Sequence, residues 1–386
     1  MDQQLAAVGE RIRARMPAGL SQRKLATAVG MAPDALSRAL NGQRGFSSIE
    51  LASIAEALGV GLHWLITGQE DPLRVDVAAR HAWDALRAER VNPGREADDE
   101  VIQKVIAVYH EAYPDGPPSS RELPSEPDVL RGQLDDGFVR RIAELVEKTF
   151  AIDVIRLPEL STDYSLRIGN RSVILLVSTT SWFRNNWSVA HELGHLALGH
   201  HAGDAVDVAN ERPANDFAAA MLLPEAWMRG IRWAQLDERG LAEIIWGAGV
   251  SVEALRNRLR ELHIKPGAVV EASLKQTTQR LLRPHVLTIA GSDADVDPLV
   301  ERETESTGRK FPLHVLSDLS QRVGAGQADP YVLAWAMGVP VDEIDFPEPD
   351  EDLASTEYEE LLAARPSAHE WAERLASGRG QTGADG

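Results

Sequence analysis

The first 70 residues carry apolar positions at helical spacing, interrupted by short turns. A serine able to cap a helix opens the segment 21–30, SQRKLATAVG, which ends in glycine. The segment 31–42, MAPDALSRALNG, has Pro33 in its first turn, where proline is tolerated. A third amphipathic helix is predicted over 47–60. Two short helices joined by a tight turn are typical of a helix-turn-helix, so residues 1–70 are predicted to form an all-α domain of this kind.

The middle of the chain has a mixed pattern. Apolar positions over 71–113 favour helix, whereas 114–127, rich in proline with glycine and serine, is predicted to be a linker or an exposed loop. Two short apolar runs predict strands, YSLRI at 164–168 and SVILLV at 172–177. Helical spacing returns from about residue 210 to 265.

Composition narrows the chemistry that this chain can support. Its 386 residues suit two or three domains, and a hydrophobic content of 44% is enough for packed cores. Because there is no cysteine, a metal can be held only by His, Asp or Glu side chains. The N-terminus lacks a signal-peptide pattern, and the apolar run at 173–177 is too short to cross a bilayer. A cytoplasmic protein without membrane contact is therefore expected.

The net charge of −19 is unevenly distributed. Residues 1–70 contain seven Lys/Arg and six Asp/Glu, a balance of +1, so the other 316 residues carry −20. This asymmetry indicates different tasks for the two parts, and the total charge argues against broad, non-specific nucleic-acid binding. From Asp342 to Glu360 there are ten Asp/Glu and no Lys/Arg, so this part of the chain is predicted to be a solvated tail.

Four of the 11 histidines lie in the stretch NWSVAHELGHLALGHH at 186–201. Ser188 can cap a helix that would run from Val189 to about His200. A predicted strand precedes this helix, and small or apolar residues occupy the faces that must pack.

Within this helix, His191 and His195 are four residues apart and project from one face. Two imidazoles at that spacing can hold one metal ion, and Glu192 is placed to contact a metal-bound water. The alternative is a core helix that is rich in histidine by chance. The capped start and the preceding strand favour the metal site.

Two residues compete to be the third metal ligand. His201 lies six residues past His195, but the glycine that should turn the chain there is out of register by one position. Glu211 opens a second predicted helix and is preferred. Asn215, four residues later, is predicted to orient a ligand histidine. If Glu211 is not a ligand, it is a helix-start carboxylate favoured by the helix dipole.

The stretches WSVAHELGHLALGHH and ERPANDFAAAMLLP together resemble the ImmA/IrrE metallopeptidase family, whose pattern is HExxH followed by ExxANxFAxxLLxP. The resemblance covers roughly residues 100–265. It departs from the family at 186–188, where Asn-Trp-Ser replaces a common Arg-Phe-Thr, and at Pro213. Neither change removes a ligand.

The resemblance implies a zinc metallo-endopeptidase with a zincin-like, gluzincin-type α+β domain. His191, His195 and Glu211 would bind one zinc ion. Glu192 would be the general base that takes the proton of the water and passes it to the leaving amine. No residue is assigned to stabilise the oxyanion. His200, about half a turn from His191, is expected to be a surface or packing histidine.

Residues 20–68 resemble the phage-repressor (XRE) type of helix-turn-helix. The residues expected to contact bases lie early in the second helix of the motif: Ala32, Pro33, Asp34, Ser37 and Arg38. The residues expected to contact phosphates are Gln22, Arg23, Asn41 and Arg44. Residues 1–70 are therefore expected to bind double-stranded DNA as a homodimer. Their charge of +1 leaves open dimerisation or partner docking instead.

These interpretations predict a mainly α, multidomain protein. Its segments are a helix-turn-helix domain (1–70), a helical segment with a proline-rich linker (71–135), the peptidase domain (136–265), a mostly helical extension (266–347) and an acidic tail (348–386).

The resemblance to the ImmA/IrrE family implies regulatory proteolysis of a transcriptional repressor in response to stress, here coupled to DNA binding. One alternative is a DNA-binding regulator or antitoxin that uses the metal domain only as a sensor or scaffold. Another is a peptidase whose N-terminal domain docks protein and never contacts DNA. Metal content and cleavage of a repressor distinguish the peptidase from the non-proteolytic regulator. Salt-dependent DNA binding tests whether the N-terminal domain contacts DNA or only docks protein.

Overall fold

The computed structural model covers most of the chain. The described residues are 3–69, 71–79, 82–84, 89–91, 95–135, 137–201, 208–291 and 297–344. The predicted acidic tail at 348–386 lies outside them. Among the described residues, no helix is both long and apolar enough to cross a membrane.

The N-terminal region is helical, as its spacing predicts. Its helices are α1 (Gln3–Arg15), α2 (Gln22–Ala28), α3 (Pro33–Leu40), α4 (Ser48–Leu58) and α5 (Leu62–Thr67). The Ser21 hydroxyl accepts a hydrogen bond from the Lys24 backbone N–H and so caps α2. Ser47 and Glu50 form a reciprocal capping box at the start of α4. The helix-turn-helix prediction is therefore confirmed at the level of its helices and caps.

This helical domain has a core of its own. Ile12, Leu25, Leu36 and Ile54 are completely buried and pack in one cluster, and its buried members among the described residues all lie within 8–65. Burial of that apolar surface stabilises the domain independently of the rest of the chain.

The prediction of helix throughout 71–113 was wrong for its first part. The structure has strands β1 (Val75–Ala79), β2 (Ala82–Asp84) and β3 (Glu89–Val91), and only then helix α6 (Arg95–Ala112). β1 pairs antiparallel with a strand some 90 residues later in the chain, and β2 pairs with β3. Such tertiary pairing overrides local helical propensity and leaves little trace in local periodicity.

The larger sheet combines strands from both sides of the proline-rich segment. After the short helices α7 (Pro127–Gly132) and α8 (Ile142–Phe150) follow the strands β4 (Asp153–Leu157), β5 (Tyr164–Ile168) and β6 (Arg171–Val177). The strand order is β1-β5-β6-β4, with β4 parallel to β6 and the other pairs antiparallel. The two strands predicted from apolar runs are β5 and β6, whereas β4 was not predicted.

Helices cover both faces of this mixed sheet. The helices that follow it are α9 (Trp182–Ala197), α10 (Glu211–Leu222), α11 (Glu225–Gly230), α12 (Glu238–Ala248), α13 (Val252–Glu261), α14 (Ala268–Ser273), α15 (Thr278–Leu282), α16 (Val286–Ala290), α17 (Pro298–Thr307), α18 (Leu313–Gly324) and α19 (Pro330–Met337). Ile174 and Leu176 of β6 face a core that includes residues of α9 to α13. Val173 and Leu175 face the opposite core, formed with α6, α18 and α19. The protein is thus a helical domain joined to an α+β domain.

The proline-rich segment packs along the α+β domain. Its Ser120 backbone N–H donates to the Asn170 carbonyl, and the Ser120 hydroxyl donates to the Ala151 carbonyl. The Arg121 backbone N–H donates to the carbonyl of Phe150. The segment is irregular, as its prolines predict, and its backbone groups are paired with the residues that flank the sheet strands.

Candidate metal centre

The histidine-bearing helix α9 begins earlier than the sequence predicts. It starts at Trp182 after Ser181 and ends at Ala197, so Ser188 lies inside it and caps nothing. The predicted helix from Val189 to about His200 was therefore wrong at both ends. The backbone N–H of His200 donates to the His195 carbonyl, which closes the last turn.

Ser188 anchors α9 to the sheet. Its hydroxyl is buried and donates a hydrogen bond of 2.6 Å to Asp163 Oδ2. The other carboxylate oxygen of Asp163 accepts from the Val177 backbone N–H at 2.9 Å, at the end of β6. One carboxylate thus fixes the motif helix relative to the strand that precedes it.

A glycine inside the motif allows α9 and α10 to pack closely. A Cβ added at Gly194 would lie 3.1 Å from Ala214 Cα and 3.2 Å from Phe217 Cβ, which is tighter than ordinary contact. Ala214 is completely buried at this crossing. The close approach brings the start of α10, and with it Glu211, against the face of α9 that carries the histidines.

Three candidate ligand side chains converge on one point. The two Nε2 atoms of His191 and His195 are 3.1 Å apart. Glu211 Oε2 lies 3.6 Å from His191 Nε2, and Glu211 Oε1 lies 3.8 Å from His195 Nε2. One ligand atom from each of the three residues falls within 4.8 Å of the others. Two imidazole nitrogens and a carboxylate oxygen are the donor set of many three-ligand catalytic metal sites.

Glu192 borders this cluster without belonging to it. Its Oε1 atom lies 4.0 Å from His191 Nε2, and its Oε2 atom accepts a hydrogen bond of 2.8 Å from the Ser165 hydroxyl on β5. Both side chains are completely buried. The serine therefore holds the carboxylate in place beside the candidate metal position, a contact that the sequence analysis did not identify.

His200 packs against His195, one of the three candidate ligands. Its Nδ1 atom lies 3.0 Å from the Nδ1 atom of His195, so the two rings share a hydrogen bond whose direction depends on their tautomers. Its half-buried ring also packs edge-to-face on the His195 ring, as expected of a packing histidine, because the turn after Ala197 folds the chain back onto α9. A partner on Nδ1 orients a ring whose Nε2 faces a metal.

His201 is not part of the cluster. Its Nε2 atom faces the backbone carbonyl of Ser165 at 3.2 Å, and burial lowers its pKa to about 4. A backbone carbonyl partner for Nε2 directs this ring to β5. The carboxylate of Glu211 is the third side chain at the cluster.

Asn215 lies one turn after Glu211 on α10. Its side-chain amide donates a hydrogen bond of 2.8 Å to the backbone carbonyl of Glu211. This contact stabilises the first turn of the helix that presents the carboxylate. Orientation of a ligand histidine by Asn215 stays a prediction.

The candidate DNA contacts occupy the exposed side of the helix-turn-helix. Those exposed are Gln22, Arg23, Ala32, Pro33, Asp34, Arg38 and Asn41, and those half-buried are Ser37 and Arg44. Within the motif, Leu36 and Leu40 point into the core.

Two of these side chains already have partners. Arg44 forms an ion pair of 2.8 Å with Glu50 of α4. The side-chain oxygen of Asn41 accepts a hydrogen bond from the guanidinium of Arg13. A phosphate would compete with Glu50 for Arg44, so we expect a weaker contribution from this residue than from the exposed Arg23.

Two family models match the chain. Residues 12–65 match a helix-turn-helix model, and residues 147–260 match the model of the IrrE N-terminal-like domain, peptidase family M78. The chain carries an IrrE-like domain behind a helix-turn-helix domain. The resemblance to the ImmA/IrrE family in the sequence is thereby confirmed.

The IrrE-like range contains the whole candidate metal centre, from β4 through α9 and α10. The helix-turn-helix range contains every candidate DNA contact from Gln22 to Arg44. Searches of the curated proteins and of the solved structures gave no match.

Proposed function

We propose that this protein is a zinc-dependent endopeptidase of the gluzincin type that cleaves a transcriptional repressor. The observation that carries the proposal is the convergence of His191, His195 and Glu211 on one point, with Glu192 beside it. The IrrE-like domain that contains these residues supports the same chemistry.

The donor set fits a divalent metal on chemical grounds. Burying two imidazoles and a carboxylate at such short range is costly unless a cation balances the charge and accepts their lone pairs. When bound, the metal would lower the pKa of a coordinated water towards about 7 and polarise the scissile carbonyl.

The side chains of this protein would supply the remaining steps. Glu192 would take a proton from the attacking water and later pass it to the leaving amine. The Ser165 hydroxyl would keep the carboxylate aligned by donating to Oε2. His200 would keep the Nε2 atom of His195 directed at the metal by pairing with Nδ1.

The helix-turn-helix would bring the peptidase to DNA. Its exposed second helix, with Ser37 and Arg38, would lie in the major groove, and two copies would bind a roughly palindromic site. A repressor bound to the same operator would then be captured beside the peptidase.

Burial of the cluster supports a second candidate function. His191 and Glu192 are 0% exposed, Glu211 is 2% and His195 is 3% exposed. The four side chains themselves are therefore closed to direct contact with a polypeptide in this structure. The alternative is therefore a DNA-binding regulator or antitoxin that uses the metal domain as a sensor or scaffold without proteolysis.

Metal analysis tests the site itself. We expect the chain, equilibrated with zinc and then desalted, to retain one zinc ion per chain by mass spectrometry of the metal content. His195→Ala and Glu211→Ala should each lose it, whereas His201→Gln should retain it. If Glu211→Ala retains zinc and His201→Gln loses it, the third ligand is His201 and not Glu211.

A further inference from the structure

A cavity of about 550 Å³ lies at the beginning of α9, away from the candidate metal centre. Trp182 and Asn185 from the first turn of the helix contribute to its wall. Asn186 is the last residue of the helix in this wall, and His191 lies five residues beyond it, which at 1.5 Å per residue is about 7.5 Å along the helix axis. A cavity of this size can hold a small-molecule ligand.

Positive charge is concentrated around this cavity, which we call the basic pocket. Its six cationic lining residues are Arg140, Arg141, Arg156, Arg302, Arg309 and Lys310. Among the described residues, two of those lining the pocket, Glu144 and Glu305, carry carboxylates. This excess of positive over negative lining residues is opposite in sign to the charge of the whole chain, which is −19.

Some of these cations are neutralised by carboxylates. Arg140 pairs with Glu305 at 2.5 Å and with Glu301 at 3.2 Å. Lys310 lies 3.6 Å from Glu147. These cations are paired and partly exposed, so they add less to the unbalanced charge of the pocket than the more buried arginines do.

Arg302 is the deepest of the cations. It is 8% exposed, and its guanidinium carbon lies 4.3 Å from the ring centroid of Trp182 and 3.4 Å from that of Trp246. Its Nε atom is buried and has no hydrogen-bond partner among the described residues. Burial, and then repulsion from Arg140, lower its pKa to about 9. The charge of Arg302 is thus held in a place that disfavours it.

Arg156 on β4 is in a similar position. One of its terminal nitrogens donates to the backbone carbonyl of Glu305 at 2.6 Å, but its Nε atom is buried without a partner among the described residues. Burial lowers its pKa as well. A third buried nitrogen without a partner in the described part of the chain is Nη1 of Arg309, a residue that lines the same pocket and pairs through Nη2 with Glu159. Buried N–H donors are normally paired, so each of these three arginines can make a further hydrogen bond once its side chain turns toward the pocket.

We propose that the basic pocket binds a small phosphate-bearing polyanion. Arginine matches the tetrahedral oxygens of phosphate better than lysine does, because its planar fork donates two parallel hydrogen bonds. Phosphate oxygens would accept from the guanidinium groups of Arg156, Arg302 and Arg309 once these turn toward the pocket, and the phosphate charge would offset those of Arg156 and Arg302. The stacking on two tryptophans explains where Arg302 lies, but not the open volume beside it.

Titration of inorganic pyrophosphate into the full chain tests this proposal. The protein is first dialysed against a chelator, so that no heat arises from removal of metal, and ionic strength is held constant with sodium chloride. Isothermal titration calorimetry should give saturable binding of one pyrophosphate per chain. Arg156→Gln and Arg302→Gln should each weaken it at least about tenfold, since each removes a charged hydrogen bond.

Arg239→Gln is the matched control. This arginine is exposed on α12 and pairs with Glu243, four residues away, so its loss changes net charge without changing the pocket. Pyrophosphate affinity should be unchanged in the control. If Arg302→Gln does not fold, the pyrophosphate affinity of Arg156→Gln alone tests the proposal. Absence of saturable binding to the unaltered chain overturns the proposal, and so does equal weakening by Arg239→Gln and Arg156→Gln.

Discussion

Ser165 contacts Glu192 through a hydrogen bond of 2.8 Å in a completely buried environment. We expect Ser165→Ala to lower the rate of substrate cleavage about 10–100-fold, the usual cost of removing a group that orients a reacting side chain. Ser165→Thr keeps the hydroxyl and should recover most of the activity. Full activity in Ser165→Ala would show that Glu192 is positioned without this contact.

His201 makes the stability of the α+β domain depend on pH. Its pKa is about 4 in the fold and 6.5 when unperturbed, chiefly because of burial, with further lowering by Arg167 and His200. Above pH 6.5 both states are neutral at this residue and stability is unaffected. Below pH 6.5 the imidazole of His201 is protonated in the unfolded chain but stays neutral in the folded chain. The free energy of unfolding therefore falls as the pH drops from 6.5 to 4.

Urea unfolding of the unaltered chain and of His201→Gln, at pH 7 and pH 5, measures this effect. The unaltered chain should lose about 2 kcal/mol more than the variant over that interval, since each pKa unit is worth about 1.4 kcal/mol. Glutamine can still donate to the Ser165 carbonyl, so the two proteins should be comparable at pH 7. If both proteins lose the same free energy of unfolding between pH 7 and pH 5, the pKa of His201 is not lowered in the fold.

At the scale of elements, the packing of α9 against α10 sets the distance from Glu211 to the histidines. Gly194→Ala would force the two helices apart by a few tenths of an ångström, because its Cβ would meet the Ala214 backbone at 3.1 Å. We expect zinc affinity to fall about tenfold or more in a competition titration with a chromophoric chelator.

Gly247→Ala is the control for this change. Gly247 is exposed within α12, and an added Cβ there meets nothing within 4 Å. It should leave zinc affinity unchanged and stabilise the helix by up to about 1 kcal/mol. Unchanged affinity in Gly194→Ala would show that the two helices can adjust without moving the ligands.

The elements that the sequence predicts well are those with strong local signals. Capped amphipathic helices and the apolar runs of β5 and β6 were predicted correctly, as were α10 and the helical face shared by His191 and His195. Ser188 misled the prediction, because a serine before an apolar run resembles a cap even when its hydroxyl bonds a distant carboxylate. β1 was missed since its pairing partner, β5, lies far along the chain.

At the scale of the whole molecule, features built from distant segments could not be predicted. The basic pocket joins Arg140, Arg156 and Arg302, which no spacing rule connects. The contact of Ser165 with Glu192 also depends on how the sheet lies under α9. Such sites follow from the packing of elements, which local periodicity does not encode.

The charge distribution predicts how the whole chain binds DNA. The acidic remainder should oppose association with DNA, so residues 1–70, which have their own core, should bind non-specific DNA more tightly than the full chain. Arg23→Ala should weaken binding to all DNA sequences alike. It should also lower by about one unit the slope of log affinity against log salt concentration. Arg44→Ala should change the slope less, because Arg44 is paired with Glu50.

Fluorescence anisotropy with promoter and scrambled DNA at two salt concentrations measures these differences. Arg38→Ala should relax sequence preference, because its side chain is exposed on α3. If no sequence is preferred and Arg23→Ala changes nothing, the helix-turn-helix domain is better interpreted as a docking module for a protein partner.

The most direct test of the central claim is cleavage by the unaltered chain and by Glu192→Gln. Each is incubated with the proteins encoded beside it, with and without a chelator, and the products are identified by mass spectrometry. If the protein is a metal-dependent peptidase, the unaltered chain cleaves a repressor at a defined position and the chelator abolishes this cleavage. Glu192→Gln should keep its metal and fold but cleave about 10²–10⁴-fold more slowly. Cleavage by Glu192→Gln at the rate of the unaltered chain would contradict the account.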